Sequence, residues 1–172
     1  MFNKTMFKNL FFNTGDTLYS YFIVDNEKFL RELAFIQDAR IIASIDPADT
    51  NGVIMNIQWK DIFPFGGSAN IGSIQSFNAE VNHNNLLGLG DKIQINALYD
   101  LDRRPLAATG FEYTKRNLLG SFVNLTVGVD KFKPAFNSGR REEYARYIRG
   151  DLPLVSPYHS FTGGFEFGQY EA

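Results

Sequence analysis

Cysteine is absent from the 172 residues of the chain, which excludes disulfide bonds and thiolate metal sites. The net charge of −2 and the pI near 5.7 provide no basic surface for nucleic acid, and no cluster of lysine or arginine changes this. No apolar run approaches the roughly 18 residues of a membrane-spanning helix. If the chain crosses a membrane, it must therefore do so with strands.

What the sequence does contain is aromatic residues and segments in which apolar and polar residues alternate. Phe occurs 17 times and Tyr 8 times, an excess typical of β-rich chains. Segments 74–82 and 92–99 alternate strictly around a turn, with Leu98 as the exception. A period of two places successive side chains on opposite faces, so both segments are predicted strands with one apolar face. Their length of about nine residues is also that of a tilted barrel strand in a bilayer.

The second half of the chain repeats this pattern. Alternating segments are predicted as strands over 107–116, 121–132 and 161–169, and a less regular one over 144–154. The tetrapeptide Asn-Leu-Leu-Gly occurs at 85–88 and again at 117–120, each time between two strands. The residues alone fit two arrangements equally: a soluble sandwich whose polar faces meet water, or a barrel with a polar lumen and a lipid-facing exterior.

The first third has a different pattern. Residues 5–12 have helical spacing, and a second helix is predicted from an N-cap at Asp25, with Leu30 and Leu33 among its apolar positions. Strands are predicted over 39–45 and 53–62, joined by a turn. Together they form a small α+β module of about 65 residues, which is marginal in size for independent stability.

These segments resemble a known family. The Gly15-Asp16 turn, the Phe29–Leu33 segment, the strand entry at Asp38–Ile41 and the closing Lys60–Pro64 resemble the last polypeptide-transport-associated (POTRA) domain of the BamA-like outer-membrane β-barrel assembly family. The continuation, with an alternating strand, Asn-Leu-Leu-Gly-Leu-Gly at 85–90 and a second strand, resembles the start of that family's barrel. The order of the two halves is part of the resemblance.

The resemblance implies an α+β POTRA-like module (ααββ, with its first strand missing) over residues 1–68. An antiparallel meander over 69–172 would then form the first five or six strands of a transmembrane β-barrel. On this interpretation the polypeptide is a piece of a longer protein. It would lie in the bacterial outer membrane with its N-terminal module in the periplasm, and its partners would be unfolded outer-membrane protein clients, outer-membrane lipid and periplasmic accessory lipoproteins.

The implied mechanism uses exposed backbone at sheet edges, which binds client strands by β-augmentation. Two edges are expected to bind clients, one in the module and one in the first barrel strand: Arg40, Ile41, Ile42, Ala43, Ser44, Ile45, Ser73, Gln75, Phe77, Ala79 and Val81. The apolar faces of the barrel strands are expected to meet lipid through Phe77, Ile93, Ile95, Tyr99, Phe111, Tyr113, Val123, Leu125, Val127 and Phe165.

No combination of residues indicates catalysis. His83 lies in a turn without further metal ligands, and Ser156, His159 and Asp151 lack the turn that surrounds a nucleophilic serine. The charged run 140–143 is expected to be solvated. Gly88-Leu89-Gly90 is followed by a strand, whereas a phosphate-binding loop opens a helix. We therefore expect no enzymatic activity, no metal and no cofactor.

Two alternatives remain open. Within the family, the chain would belong to a two-partner secretion-type exporter, which the missing barrel loops and upstream domains would distinguish. Outside it, the chain would be a soluble lipocalin-like α+β protein that binds a small ligand inside its sheet. That alternative requires apolar residues to point inward.

Overall fold

The structure is a computed structural model that describes residues 2–49, 51–101, 106–131, 144–156 and 161–171. These residues form two α-helices, one short 3-10 helix and nine strands. In chain order they are α1 Phe2–Phe7, α2 Ser20–Glu32, β1 Ile36–Ile45, β2 Val53–Asp61, β3 Phe65–Ser73, β4 Ser76–Leu86, β5 Asp91–Asp100, β6 Ala107–Lys115, the 3-10 helix Leu118–Gly120, β7 Asn124–Asp130, β8 Tyr144–Leu152 and β9 Gly163–Glu171. Within the described part of the chain, no helix has both the length and the apolar character needed to span a bilayer.

The N-terminal module packs α1 and α2 against the hairpin of β1 and β2. Leu30 and Phe35 are fully buried at its centre. Around them lie the other members of the core, namely Met6, Ile36, Ala39 and Ile41. The module therefore buries a small but continuous apolar core.

Helix α2 begins at Ser20, so the predicted N-cap at Asp25 is wrong. The apolar side of the helix extends upstream because Ile23 lies seven positions before Leu30 and packs against the same core. Asn26 shares this side and is fully buried. Its side chain donates to the carbonyl of Asn9 (2.9 Å) and accepts from the amide of Phe11 (3.0 Å), so it holds the segment after α1 against the helix.

The seven remaining strands form one antiparallel meander in the order β3 to β9, each paired with its chain neighbours. This confirms the predicted antiparallel meander, including the less regular strand that became β8, although seven strands are described where five or six were predicted. The prediction that the strand through Phe77 is the first of the meander is wrong. A strand not predicted, β3, precedes β4 and already starts at Phe65, upstream of the predicted boundary at residue 68. Its Gly66, Gly67 and Ser68 give it a weak β-propensity, which hid it in the sequence.

Cross-strand pairs place the apolar residues of the meander on a single face. Val81 lies opposite Ile95, Ile95 opposite Phe111, and Phe111 opposite Val129. Residues directly opposite each other in an antiparallel pair share a face. The residues next to these along each strand point to the other face, which is polar. There Gln94 lies opposite Glu112, and Thr114 lies opposite Thr126. The register thus separates the two chemistries over most of the sheet, with Arg146 and Gln169 on the apolar face and Leu98 on the polar face as exceptions.

The core of the N-terminal module provides a first test. We expect Leu30→Ala to lower its free energy of unfolding by about 2–5 kcal/mol, because Leu30 is 0% exposed and its removal leaves a cavity. Trp59, the only tryptophan, packs against this core and reports unfolding in urea by its fluorescence.

The matched control is Val24→Ala on the same helix, since Val24 is 66% exposed and its truncation should cost less than about 0.5 kcal/mol. Equal losses for the two variants would contradict this assignment of the core.

Candidate functional site

The apolar face of the meander is uncovered. Phe111 is 45% exposed, Ile95 is 53% exposed and Phe165 is 52% exposed. The strongest packing contacts of the meander strands are with their neighbours in the sheet, and α2 packs on β1 instead. A soluble sandwich would bury these side chains in its core, so the exposed apolar face excludes that packing for the described residues.

The predicted lipid-facing residues lie on this face with one exception. Six are exposed, namely Phe77, Ile95, Tyr99, Phe111, Val127 and Phe165, and Ile93, Tyr113 and Leu125 are half-buried. Val123 is the exception, because β7 begins only at Asn124. Val123 lies in the preceding turn, where its carbonyl accepts from the amide of Leu118 (2.7 Å). Its assignment to the face of a strand is therefore wrong.

The polar face is the more covered one. Gln94, Asn96, Thr126 and Tyr147 are each at most 8% exposed, although no layer of secondary structure packs over them in the described chain. Neighbouring side chains of the same face contribute to this coverage, since Gln94 donates to Asn96 and the ring of Tyr147 lies over Gly128. The distribution is the inverse of a soluble protein's.

Hydrogen bonds connect the polar side chains across strands. Tyr147 on β8 donates to Glu112 on β6 (2.8 Å), so its side chain crosses over β7. Gly128 lies beneath it, and a Cβ there would collide with the tyrosine ring. Arg149 pairs with Glu166 (2.6 Å), which also accepts from Tyr170. This face is therefore a hydrogen-bonded polar lining.

The predicted client-binding edge in the barrel is misplaced. Strand β4 pairs with β3 on one side and with β5 on the other, so Phe77, Ala79 and Val81 lie inside the sheet. Gln75 lies in the turn before β4, and Ser73 is the last residue of β3. The outer strands of the described sheet are β3 and β9. The unpredicted strand β3 accounts for the error.

The other predicted edge, at Arg40–Ile45, belongs to β1, which pairs only with β2 in the described chain. The amide of Asp46 bonds to the carbonyl of Gly52 across the hairpin. Because antiparallel pairing alternates, the amides of Ile41, Ala43 and Ile45 point away from β2. The edge is open at Ala43 and Ile45, whereas the amide of Ile41 donates to Glu27 on α2. Ile42 (43% exposed) and Ile45 (74% exposed) lie in this open part.

The two Asn-Leu-Leu-Gly turns attach the meander to the N-terminal module. They share positive φ at their third and fourth residues, Leu87 (54°) and Gly88 (73°) in the first turn and Leu119 (56°) and Gly120 (83°) in the second. In the first turn, Thr5 donates to the carbonyl of Gly88 (3.0 Å). The repeat in the sequence is thus a repeated turn at the same end of the sheet.

Asn117, in the second turn, makes the closest contacts with the module. Its side-chain amide donates to the carbonyl of Lys8 and to Oδ1 of Asn9, both at 2.8 Å, and its Oδ1 accepts from the amide of Phe122 (2.9 Å). Phe122 packs edge-on against Phe11 and Phe29. Polar and aromatic contacts therefore join the two parts of the chain.

A charge cluster around the buried Asp91 links β5 and β6 at the same end of the sheet. Asp91 is 1% exposed, and its Oδ2 accepts from the hydroxyl of Tyr113 (2.7 Å) and the amine of Lys115 (2.8 Å). Arg116, beyond the end of β6, donates to the carbonyls of Asn84 and Gly90. Burial lowers the pKa of Arg116 from its ordinary value, and the Asp91 carboxylate opposes this change.

The other candidate residues are in structural roles. His83 lies on strand β4 and not in the predicted turn, and its ring packs edge-on against Phe65. Ser156 donates to Asp25 (3.2 Å), and Asp151 accepts from Asn124 (3.1 Å), while His159 and the charged run 140–143 lie outside the described residues. No group of three or more potential metal ligands occurs within the residues that the structure describes. Sequence reasoning missed the roles of Asn117 and Asp91, because their hydrogen-bond partners are distant in sequence.

The attachment of the module can be tested at Asn117. We expect Asn117→Gly to speed amide hydrogen exchange at Phe122 by an amount equivalent to about 1–3 kcal/mol, because the acceptor of this amide is lost. Proteolysis after Lys8 should also accelerate, since the module loses two hydrogen bonds to the turn. Glycine accepts the positive φ of 47° at this position, so backbone strain does not contribute.

Leu119→Gly is the control, because Leu119 has a similar φ in the same turn and an 89% exposed side chain. Faster exchange at Phe122 in both variants would show that the side chain of Asn117 is not the cause.

Comparisons with known proteins agree with this fold. No protein-family model and no curated protein sequence matches the chain. Among solved structures, the chain is similar to the crystal structure of BamA from Haemophilus ducreyi lacking POTRA domains 1–3, with a TM-score of 0.61 and 14% sequence identity. The likeness covers 97% of this chain and 40% of that one. The chain thus has a BamA-like meander fold and spans two-fifths of the length of its structural neighbour.

Proposed function

We propose that the chain is part of an outer-membrane β-barrel protein that assembles or translocates client polypeptides. Its meander would form barrel strands in the membrane, and its N-terminal module would be a POTRA-like domain in the periplasm. The outer-membrane assembly family that the sequence resembles and the structural neighbour BamA point to the same proposal. No covalent chemistry or cofactor is part of it.

The proposal rests on what we call the inverted meander, the sheet β3 to β9 with its apolar face uncovered and its polar face covered. Apolar side chains such as Val81 (58% exposed) and Phe167 (73% exposed) are uncovered, whereas Gln94 (8% exposed) and Thr126 (5% exposed) are covered. Lipid is the solvent that stabilises an uncovered apolar face, and a polar face linked by hydrogen bonds suits an aqueous lumen. A strand of nine to eleven residues, as in β3 to β6, is long enough for the crossing.

The inverted meander also weighs against the soluble alternative. A lipocalin-like protein binds its ligand against apolar side chains inside the sheet. Here the more enclosed side carries Gln94, Asn96 and the Tyr147–Glu112 hydrogen bond instead. A two-partner secretion-type exporter would also place the apolar face in lipid and the polar face around an aqueous lumen. It would differ from an assembly factor only in its client.

Clients would bind by strand addition to open backbone. The β1 edge offers outward amides at Ala43 and Ile45, with the exposed Ile42 on one face and the exposed Ile45 on the other, so it suits an extended chain with apolar residues on either face. In the barrel, the outer edge of β3 takes the place that the sequence assigned to β4. Outer-membrane lipid and accessory periplasmic lipoproteins complete the proposed partners.

The membrane interpretation is tested by two adjacent residues in the middle of β4. Val81→Arg should reduce insertion into phospholipid vesicles by about 2–4 kcal/mol, because Val81 lies on the apolar face where a charge would meet lipid. Glu80→Arg places the same side chain on the polar face and should insert like the wild type. Insertion is measured as the fraction protected from protease after dilution from urea. Equal insertion of the two variants would contradict the assignment of the faces.

Assembly activity is tested with a urea-denatured small outer-membrane barrel as the client. Vesicles that contain the chain should fold this client faster than empty vesicles. Ile45→Pro should remove much of the acceleration, because proline deletes an outward amide without disturbing the pairing with β2. Ile45→Ala keeps the amide and is the control. Folding at the rate of empty vesicles would contradict the proposed activity.

A further inference from the structure

The outer edge of β1 is not equally open along its length. Its first outward amides already have acceptors, although no strand pairs with them in the described chain. The amide of Ile41 donates to Oε1 of Glu27 on α2 at 2.6 Å. The amide of Ala39 donates to Oδ1 of Asp38 at 2.9 Å. Two carboxylates thus occupy positions where an added strand would present its carbonyl groups.

An arginine holds the two carboxylates in place. Arg31 lies one turn after Glu27 on α2, and its guanidinium donates to Oε2 of Glu27 (3.3 Å) and to Oδ1 of Asp38 (3.0 Å). The side chain of Glu27 is only 20% exposed, so water competes weakly for its hydrogen bond to the Ile41 amide. Hydrogen bonds from a backbone amide to a carboxylate are among the stronger ones in proteins.

The edge changes character after Ile41. Ala43 and Ile45 also direct their amides outward, and neither has a side-chain acceptor among the described residues. The exposed Ile42 and Ile45 lie here, beyond the part of the hairpin that α2 covers. The open segment is therefore short, and it is bounded by Glu27 on one side and the hairpin turn on the other.

We propose that Glu27 blocks strand addition at Ile41 and limits a client to the segment from Ile42 to Ile45. This inference rests on the proposed function, because it defines which part of the β1 edge accepts an extended polypeptide. A client whose pairing extends from Ala43 back to Ile41 must displace the carboxylate of Glu27 from the Ile41 amide. The block keeps binding short and therefore weak, as suits a chain that must release its client.

The test uses the whole chain in detergent and a synthetic peptide with the sequence of residues 121–131, which includes the alternating strand β7. Glu27→Ala frees the Ile41 amide, and the peptide should bind about tenfold more tightly, the equivalent of one additional net hydrogen bond. Glu27→Gln keeps a neutral acceptor and should give a smaller gain. Glu32→Ala, which removes an exposed acidic residue at the end of the same helix, should bind like the wild type.

Amide hydrogen exchange in the wild-type chain is a second measurement, and it needs no substitution. The peptide should slow exchange at Ala43 and Ile45 and leave that of Ile41 unchanged, because Glu27 retains this amide. Slower exchange at Ile41 would overturn the block. So would equal peptide affinity in the wild type and Glu27→Ala, while strand addition itself would stand. Absence of peptide binding in every variant would overturn both the block and strand addition at β1.

Discussion

The backbone pairing of the meander is the constraint on which the rest of the structure depends. Each strand from β4 to β8 is hydrogen-bonded on both sides, and the register is continuous over most of its length. A bilayer tolerates a strand only when its amides and carbonyls are paired within the protein. The same register decides which side chains lie on the exposed apolar face, the face that would meet lipid in the proposed barrel, because a slip of one residue would exchange the two faces. Apolar exposure is thus a consequence of how the strands are aligned.

The N-terminal module is tied to this sheet by its chain connection and by the turns. Only three residues, 62–64, separate β2 from β3. The amide of Ile62 bonds to the carbonyl of Phe35, and the carbonyl of Pro64 accepts from the amide of Asn84. Both ends of the connection are therefore fixed, one to the module and one to β4. Movement of the module would have to act on the first strands of the sheet.

Much of this fold could be predicted from the sequence, because period-two alternation survives wherever both faces have a distinct chemistry. The strands around Phe77, Ile95 and Phe111 are examples. Strand β3 was hidden because its Gly66, Gly67 and Ser68 carry no apolar signal. The start of α2 was missed because aspartate is a common N-cap residue, whereas Asp25 lies within the helix. Long-range pairs such as Glu27 with Ile41 or Asn117 with Lys8 depend on the tertiary fold, which residue spacing does not encode.

The outer strands β3 and β9 have a consequence for the life of the polypeptide before it reaches a membrane. Among the described residues, one side of each pairs with no strand, and the exposed apolar face between them would adhere to other copies of the chain in water. A folded sheet of this kind would aggregate in an aqueous compartment. If the sheet acts in a membrane as proposed, we expect the polypeptide to need a chaperone between its synthesis and its insertion, which is the kind of assistance that it is proposed to give to others.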